Sequence, residues 1–393
     1  MPKFDAEVIS GKLPQKNMRL KAAKRLLKVE PTKLEVFSIG DRTFLEVADF
    51  ANVMELIEAR QRSDYYESFG AGAAIYPRQF WFVDVLVSPR LGINPRMPAV
   101  KSSQRAITLA KKDYVGVEIE GQVESEFLFQ ATTGSELVPF GHLPFPLVVL
   151  PVEANSATGG KYRILVSDEA KTRGFSGLKD WLLQVERVWH SKRAEKAERL
   201  TVYQWLDYTR KLTRQTSRAR FKVLYNSSGT YLVGCVALNG SFDVKVDDSS
   251  VKSNGVVAEI TTFYCDIDSE DEAHYIVGFL NAPIIDRLVK PMQARGDFGE
   301  RHIHKKVLEL PIPKYEPHNK THKELSDLAK ACAGKVEQAL PALREKYDSI
   351  GKIRQLIKED LRAEIAEIDK LAKTILLSRR KAQKLDKLLQ SDS

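Results

Sequence analysis

After Pro341 the chain reaches Leu389 without another proline and with one glycine, Gly351. Over that stretch Ile350, Ile353, Ile357, Leu361, Ile365, Ile368, Leu371 and Ile375 recur every three or four residues. That spacing puts them on one side of a helix and leaves charged residues on the other. Proline suits the first turn of a helix, where its missing N–H would have no partner. The pattern therefore predicts one long amphipathic helix, opened by Pro341 and carrying a coiled-coil-like seam. A single helix cannot cover such a stripe by itself, so it must pack on a neighbour, in this chain or in a partner. A further helix is expected over His322–Ala339, which makes 319–393 a helical segment.

The 43% hydrophobic and 29% charged content over 393 residues is that of a globular chain with a sizeable core. No apolar run approaches the roughly 20 residues needed to span a bilayer. The first residues lack the apolar centre of a secretion signal. Cys235, Cys265 and Cys332 lie far apart, with no CxxC pair, so neither a zinc ribbon nor a disulfide framework is expected. A cytoplasmic location and no membrane partner are the resulting expectations. Charge is uneven. Arg187–Lys222 holds eleven Lys/Arg against three acidic residues, and Met1–Lys28 holds eight against two. Clustered cations point to a localised anionic partner, the blander reading being a solvated helix face and a basic tail.

Residues 1–50 read as a basic arm or first helix to Pro31, then two short strands around the Gly40-Asp41 turn. A helix is expected over Met54–Phe69, and IYPRQFWFVDVLV after it is rich in β-formers. Residues 90–150 alternate strand-like pieces with Pro/Gly turns. Gly177–Leu212 is helical in period, with Trp181, Leu182, Val185 and Trp189 as a stripe best read as core. Phe221–Val236 reads as strand, Ser-Ser-Gly turn and strand. Glu259–Cys265 follows as a strand, and Ser269–Leu280 as a helix with an acidic first turn. The expectation is an α+β fold: a mixed, mostly β domain with helical insertions over 51–318, then the long C-terminal helix.

Catalytic constellations are missing. No GxxxxGK[ST] loop, GxGxxG fingerprint or GxSxG elbow occurs, and GAGAA at 70–74 has the wrong spacing for a nucleotide loop. His302 and His304 would share one face of a strand, but two imidazoles without a carboxylate or thiolate pair make a poor metal site. Asp243-Val244-Lys245 has the form of a nuclease fragment that is common by chance. What remains is binding chemistry. The segment His274–Pro313 starts as an apolar helix, breaks at Asn281-Ala282-Pro283 and becomes a Gly-punctuated loop. Gln293, Arg295, Arg301, His304, Lys305 and Lys306 lie along that loop, with Gly296 and Gly299 allowing close backbone approach to a phosphate. Equally, its cations could pair with Asp297, Glu300 and Glu309.

Six blocks, in order, make residues 50–330 resemble the C-terminal target-recognition domain of large adenine-N6 DNA methyltransferases, including those of restriction-modification and phage-defence systems. They are Tyr65-Tyr66 through GAAIYPRQFWFVDV; VPFGHLPFPLVVLP; LKDWLLQVERVW with LDYTRKLTRQ; VLYNSSGTYLVGCV; the run from Ala273 through KYEP; and HKELSDLA. The resemblance implies sequence-specific duplex DNA binding. It places Tyr225, Asn226, Ser228, Gly229 and Thr230 in a DNA-facing turn, and Gln293, Arg295, Gly296, Arg301, His304 and Lys305 along a cleft. Arg78 and Gln215 are further DNA-binding candidates. The family's cofactor turn and Asn-Pro-Pro-Tyr-type loop are missing, Asn94-Pro95-Arg96 being the nearest fragment. By that departure this chain is expected to be a specificity subunit that carries no cofactor. S-adenosylmethionine would sit on a partner methyltransferase catalytic subunit, docked through the C-terminal helix. The alternatives are an intact enzyme, such as a nuclease using Asp243 and Lys245, and an assembly scaffold.

Overall fold

The computed structural model describes residues 3–10, 18–39, 42–47, 62–246, 248–293, 295–296, 299–300 and 302–391. The fold is α+β. Lys3–Ser10, Lys28–Ile39 and Arg42–Val47 form an antiparallel three-stranded sheet, with the helix Leu20–Leu26 between the first two strands. The basic arm or first helix expected up to Pro31 is a strand, then a helix, then the start of a second strand. Charged Lys3, Asp5 and Glu7 alternate with Phe4, Ala6 and Val8. That period of two marks a strand whatever its net charge. The first half of the helix expected over Met54–Phe69 falls on residues outside those described, and Asp64–Ser68 form turns rather than helix.

Two larger sheets hold the rest. The six-stranded sheet runs Val256–Ala258, Leu128–Thr132, Leu147–Val149, Phe82–Val85, Ala99–Ser102 and Glu120–Gln122. Only its first pair is parallel. The four-stranded sheet runs Gly234–Leu238, Phe221–Asn226, Thr262–Ile267 and Gly70–Ala71, all antiparallel. GAGAA contributes to the joint between the two sheets. Ala73 N–H donates to Ala258 O at 2.7 Å, and Gly72 N–H to Thr262 O at 3.0 Å. A Cβ on Gly72 would lie 2.1 Å from the Glu259 carbonyl oxygen, so only glycine permits this backbone crossing.

The helix Ser176–Lys192 covers the six-stranded sheet and buries Trp181, Leu182, Val185 and Trp189, the stripe expected as core. It ends at Arg193 instead of continuing to Leu212. A new helix, Val202–Leu206, begins at a capping box in which Thr201 and Gln204 satisfy each other's backbone N–H groups. The helix Glu270–Asn281, capped by Ser269 and acidic in its first turn, lies on the four-stranded sheet. Lys320–Lys346 packs against it so closely that a Cβ on Gly278 would sit 2.8 Å from Leu325.

Pro341 does not open a helix. It lies inside Lys320–Lys346, and the break comes at Tyr347–Ser349. Pro341 and Glu337 are both exposed, so the one helical bond lost there is open to water. Nor is the remainder one helix: Leu361 is non-helical and divides Ile350–Asp360 from Arg362–Ser391. Ile353, Ile357, Leu361, Ile368, Ala372, Ile375 and Leu376 are buried in one core with Leu325, Cys332, Ile285, Val223 and Phe263. The neighbour that the stripe requires is in this chain. Cys235, Cys265 and Cys332 are free, buried thiols. Among the described residues no helix is long and apolar enough to cross a membrane.

Candidate nucleic-acid interface

The turn after Phe221–Asn226 is organised by one buried side chain. Asn226 donates from Nδ2 to Ser228 O at 2.9 Å and Tyr231 O at 3.1 Å, and its Oδ1 accepts from Val233 N–H at 2.9 Å. Gly229 has φ +154, and a Cβ there would meet Asn226 Nδ2 at 2.7 Å, so the turn needs glycine at that position. Two groups brace the turn from outside. Asp286 accepts from Leu232 N–H at 2.9 Å, and the Lys358 ammonium sits 3.6 Å from the Tyr231 ring centre. Ser228 and Thr230 are left exposed at the tip.

Against this turn lies the segment 302–306. Ser227 O accepts from both Ile303 N–H and His304 N–H at 3.0 Å, and Ser228 bridges to His302. Tyr225, stacked on Phe263, donates its hydroxyl to His304 O at 2.8 Å. His304 holds φ +43, a left-handed conformation sustained by these three bonds. The result is a continuous rim of Ser228, Thr230, His302 and His304. The two imidazoles stack at 5.3 Å, as their alternation implied. Among the described residues no group of three His, Cys, Asp or Glu could hold a metal ion.

Cations reach the rim from three stretches of chain. Lys305 donates to Tyr66 O at 2.9 Å and lies over the Tyr66 ring, which also carries the Arg62 guanidinium at 4.2 Å. Lys306 follows, half-buried. Burial, followed by the charges of His302, Lys306 and Lys211, pushes the His304 imidazole below its ordinary pKa. Lys211, from the loop after Val202–Leu206, is among the charges that act on His304. It was not among the sequence candidates, and its signal was the cationic window Arg187–Lys222.

Four candidates act from beneath the surface. The side chains of Tyr225, Asn226, Gln215 and Gln293 are buried, so they hold the surface from below rather than line it. Gln215 pairs both ends of its amide with Ala258, at 2.9 and 2.7 Å, and also donates to Lys211 O. It thus pins the Lys211 loop. Arg78 is committed to an ion pair at 3.1 Å with buried Glu259. The backbone of Arg295–Gly296 pairs with Gly299–Glu300. The Arg295 side chain and all of Arg301 lie outside the described residues. Asp243 and Lys245 occupy the exposed side of a hairpin, opposite Lys252 and Ser250, so the nuclease fragment has no second carboxylate across from it.

Asn226→Ala should leave one backbone N–H and two carbonyls without their partner. We expect a loss of about 1–3 kcal/mol in urea unfolding, with weakened polyanion binding. An unchanged unfolding midpoint would mean that the turn holds without this amide.

No family model matches the chain, and no curated protein sequence does. The distant likenesses among solved structures include two restriction enzymes. One is the type IIL restriction-modification enzyme MmeI in complex with DNA, at 12% identity and TM-score 0.40, covering 63% of this chain and 28% of that one. The other is the type IIG restriction endonuclease BpuSI, at 11% identity and TM-score 0.32, covering 86% of this chain and 36% of that one. The chain thus spans well under half the length of either enzyme.

Proposed function

We propose that this chain recognises duplex DNA as the specificity part of an adenine-N6 methylating restriction-modification or phage-defence assembly. The supporting observation is the rim itself. The Asn226–Thr230 turn and the 302–306 segment, far apart in sequence, are zipped together, Lys305 and Lys306 continue the second segment, and the charge of Lys211 acts on His304 from a separate loop. A cationic, partly rigid edge with exposed Ser, Thr and His side chains suits phosphate contacts for affinity and a few base contacts for choice. Arg295, Gly296 and Arg301 extend the same segment and belong to the proposal on sequence grounds. The methyl transfer and its S-adenosylmethionine would belong to a catalytic subunit on another chain. The apolar stripe of the C-terminal helices is covered inside this chain, so that subunit would dock on a different face.

The test is a gel-shift titration of the chain with duplex DNA across salt concentrations. Binding should prefer particular sequences, and log affinity should fall with log salt at a slope of about −3 or steeper. Replacing Lys211 and Lys306 by alanine should lower that slope by about two. A flat salt response, or indifference to sequence, would count against the proposal. Co-purification with a methyltransferase tests the division of labour.

A further inference from the structure

The loop between the helix Val202–Leu206 and Gln215 is built in a way that its own packing does not require. Thr209 (φ 58, ψ 25) and Arg210 (φ 58) are consecutive residues in the left-handed region, and neither is glycine. Such a pair persists only where surrounding bonds impose it. Here Asp207 imposes it. Its Oδ1 accepts from Leu212 N–H at 2.9 Å and Thr213 N–H at 3.0 Å, and its Oδ2 from the Thr213 hydroxyl at 2.7 Å. Arg210 N–H closes the turn onto Asp207 O at 2.8 Å, and Gln215 holds the far end. Leu206 and Leu212 are buried on either side.

The effect of this frame is to push three residues outward. Tyr208, Thr209 and Arg210 are all exposed, and Tyr208 is 54% exposed although it is a large aromatic. Its ring leans against Trp205 at 6.1 Å, which in turn packs on Trp189 at 5.7 Å, so the aromatic face has a firm backing. Lys211 follows in sequence, and its charge acts on His304 of the rim already described. A firmly backed aromatic ring beside two cations has the chemistry to stack on a base while the flanking phosphates are neutralised.

We propose that the Tyr208–Lys211 loop is a DNA-contacting finger. Tyr208 supplies a stacking face to a base, and Arg210 and Lys211 hold the adjacent phosphates. This rests on the reading of the chain as a duplex-DNA binder, and it adds a contact that neither the turn nor the 302–306 segment provides.

The experiment uses the full chain and a duplex pool randomised at its centre, followed by sequencing of the bound fraction and by titration of the best duplex. Tyr208→Ala should weaken binding about tenfold without changing the salt slope, whereas Tyr208→Phe should bind like wild type. Arg210→Ala should lower the slope by about one. Tyr208 is exposed, and circular dichroism of each variant should match wild type. If wild type binds and Tyr208→Ala binds equally well, the finger is wrong while the DNA-binding reading stands. If Tyr208→Phe falls as far as Tyr208→Ala, the hydroxyl and not the ring makes the contact, and stacking is overturned. If wild type fails to bind the pool, the DNA-binding reading fails and the finger with it.

Discussion

Asp266→Ala is expected to destabilise the chain by about 3–5 kcal/mol in denaturant unfolding. Lys222 points from the strand Phe221–Asn226 into an interior where its side chain has no exposed surface. Its ammonium reaches Asp266 Oδ1 at 2.5 Å on the neighbouring strand and lies over the Tyr264 ring at 4.9 Å. Removing the carboxylate leaves the fully buried Lys222 ammonium without its ion-pair partner, which costs far more than losing a surface pair would. A loss of that size is a large part of the roughly 5–15 kcal/mol that holds most folded proteins together. Pairing Asp266→Leu with Lys222→Met should recover most of it, because the double change removes both charges and keeps the volume. A single variant within about 0.5 kcal/mol of wild type would mean that Lys222 finds water or another partner.

Trp181→Ala should have a comparable effect, about 3–5 kcal/mol, read as a lower thermal midpoint. Trp181 is 1% exposed and donates its indole N–H to Phe80 O at 3.0 Å. It therefore ties the helix Ser176–Lys192 to the segment leading into the six-stranded sheet. Truncation removes both the packing and the bond, and strands the Phe80 carbonyl. Leu183 on the opposite side of the same helix is 42% exposed, and Leu183→Ala should change stability much less. Equal losses at the two positions would contradict the helix orientation.

These two sites mark the limits of what the sequence made legible. Trp181, Leu182, Val185 and Trp189 announced themselves by period, because a helix buries residues at that spacing whatever it packs against. Lys222 did not, since it reads as one more cation at the end of the Arg187–Lys222 window. Its partner lies 44 residues away and becomes adjacent only through strand pairing. The rim shows the same division. The Asn226–Thr230 turn and the 302–306 segment were both singled out, yet nothing in either stretch says that they hydrogen-bond to each other. Asn226 was placed in a DNA-facing turn and Gln215 among further DNA-binding candidates, and both amides are bonded to the protein's own backbone. The Thr209–Arg210 conformation is imposed locally by Asp207, whose carboxylate and carbonyl close the turn, and that role was not read from the sequence.

The segment 63–66 has a consequence for the order in which the molecule can form. Ser63 and Asp64 donate their N–H groups to Leu308 O and Ile312 O, and the Tyr65 hydroxyl accepts from Tyr315 N–H. Asp64 also takes both guanidinium nitrogens of Arg379, 315 residues further on. The platform under Lys305 is thus closed by chain made 250 and 315 residues later. Contacts of such long range are slow to form, and the sheet edges they cover stay open during synthesis. The early part of the chain can pair its strands during translation, but the rim is completed only once residues 302–315 have been made. A nascent chain arrested before residue 300 should therefore lack it altogether.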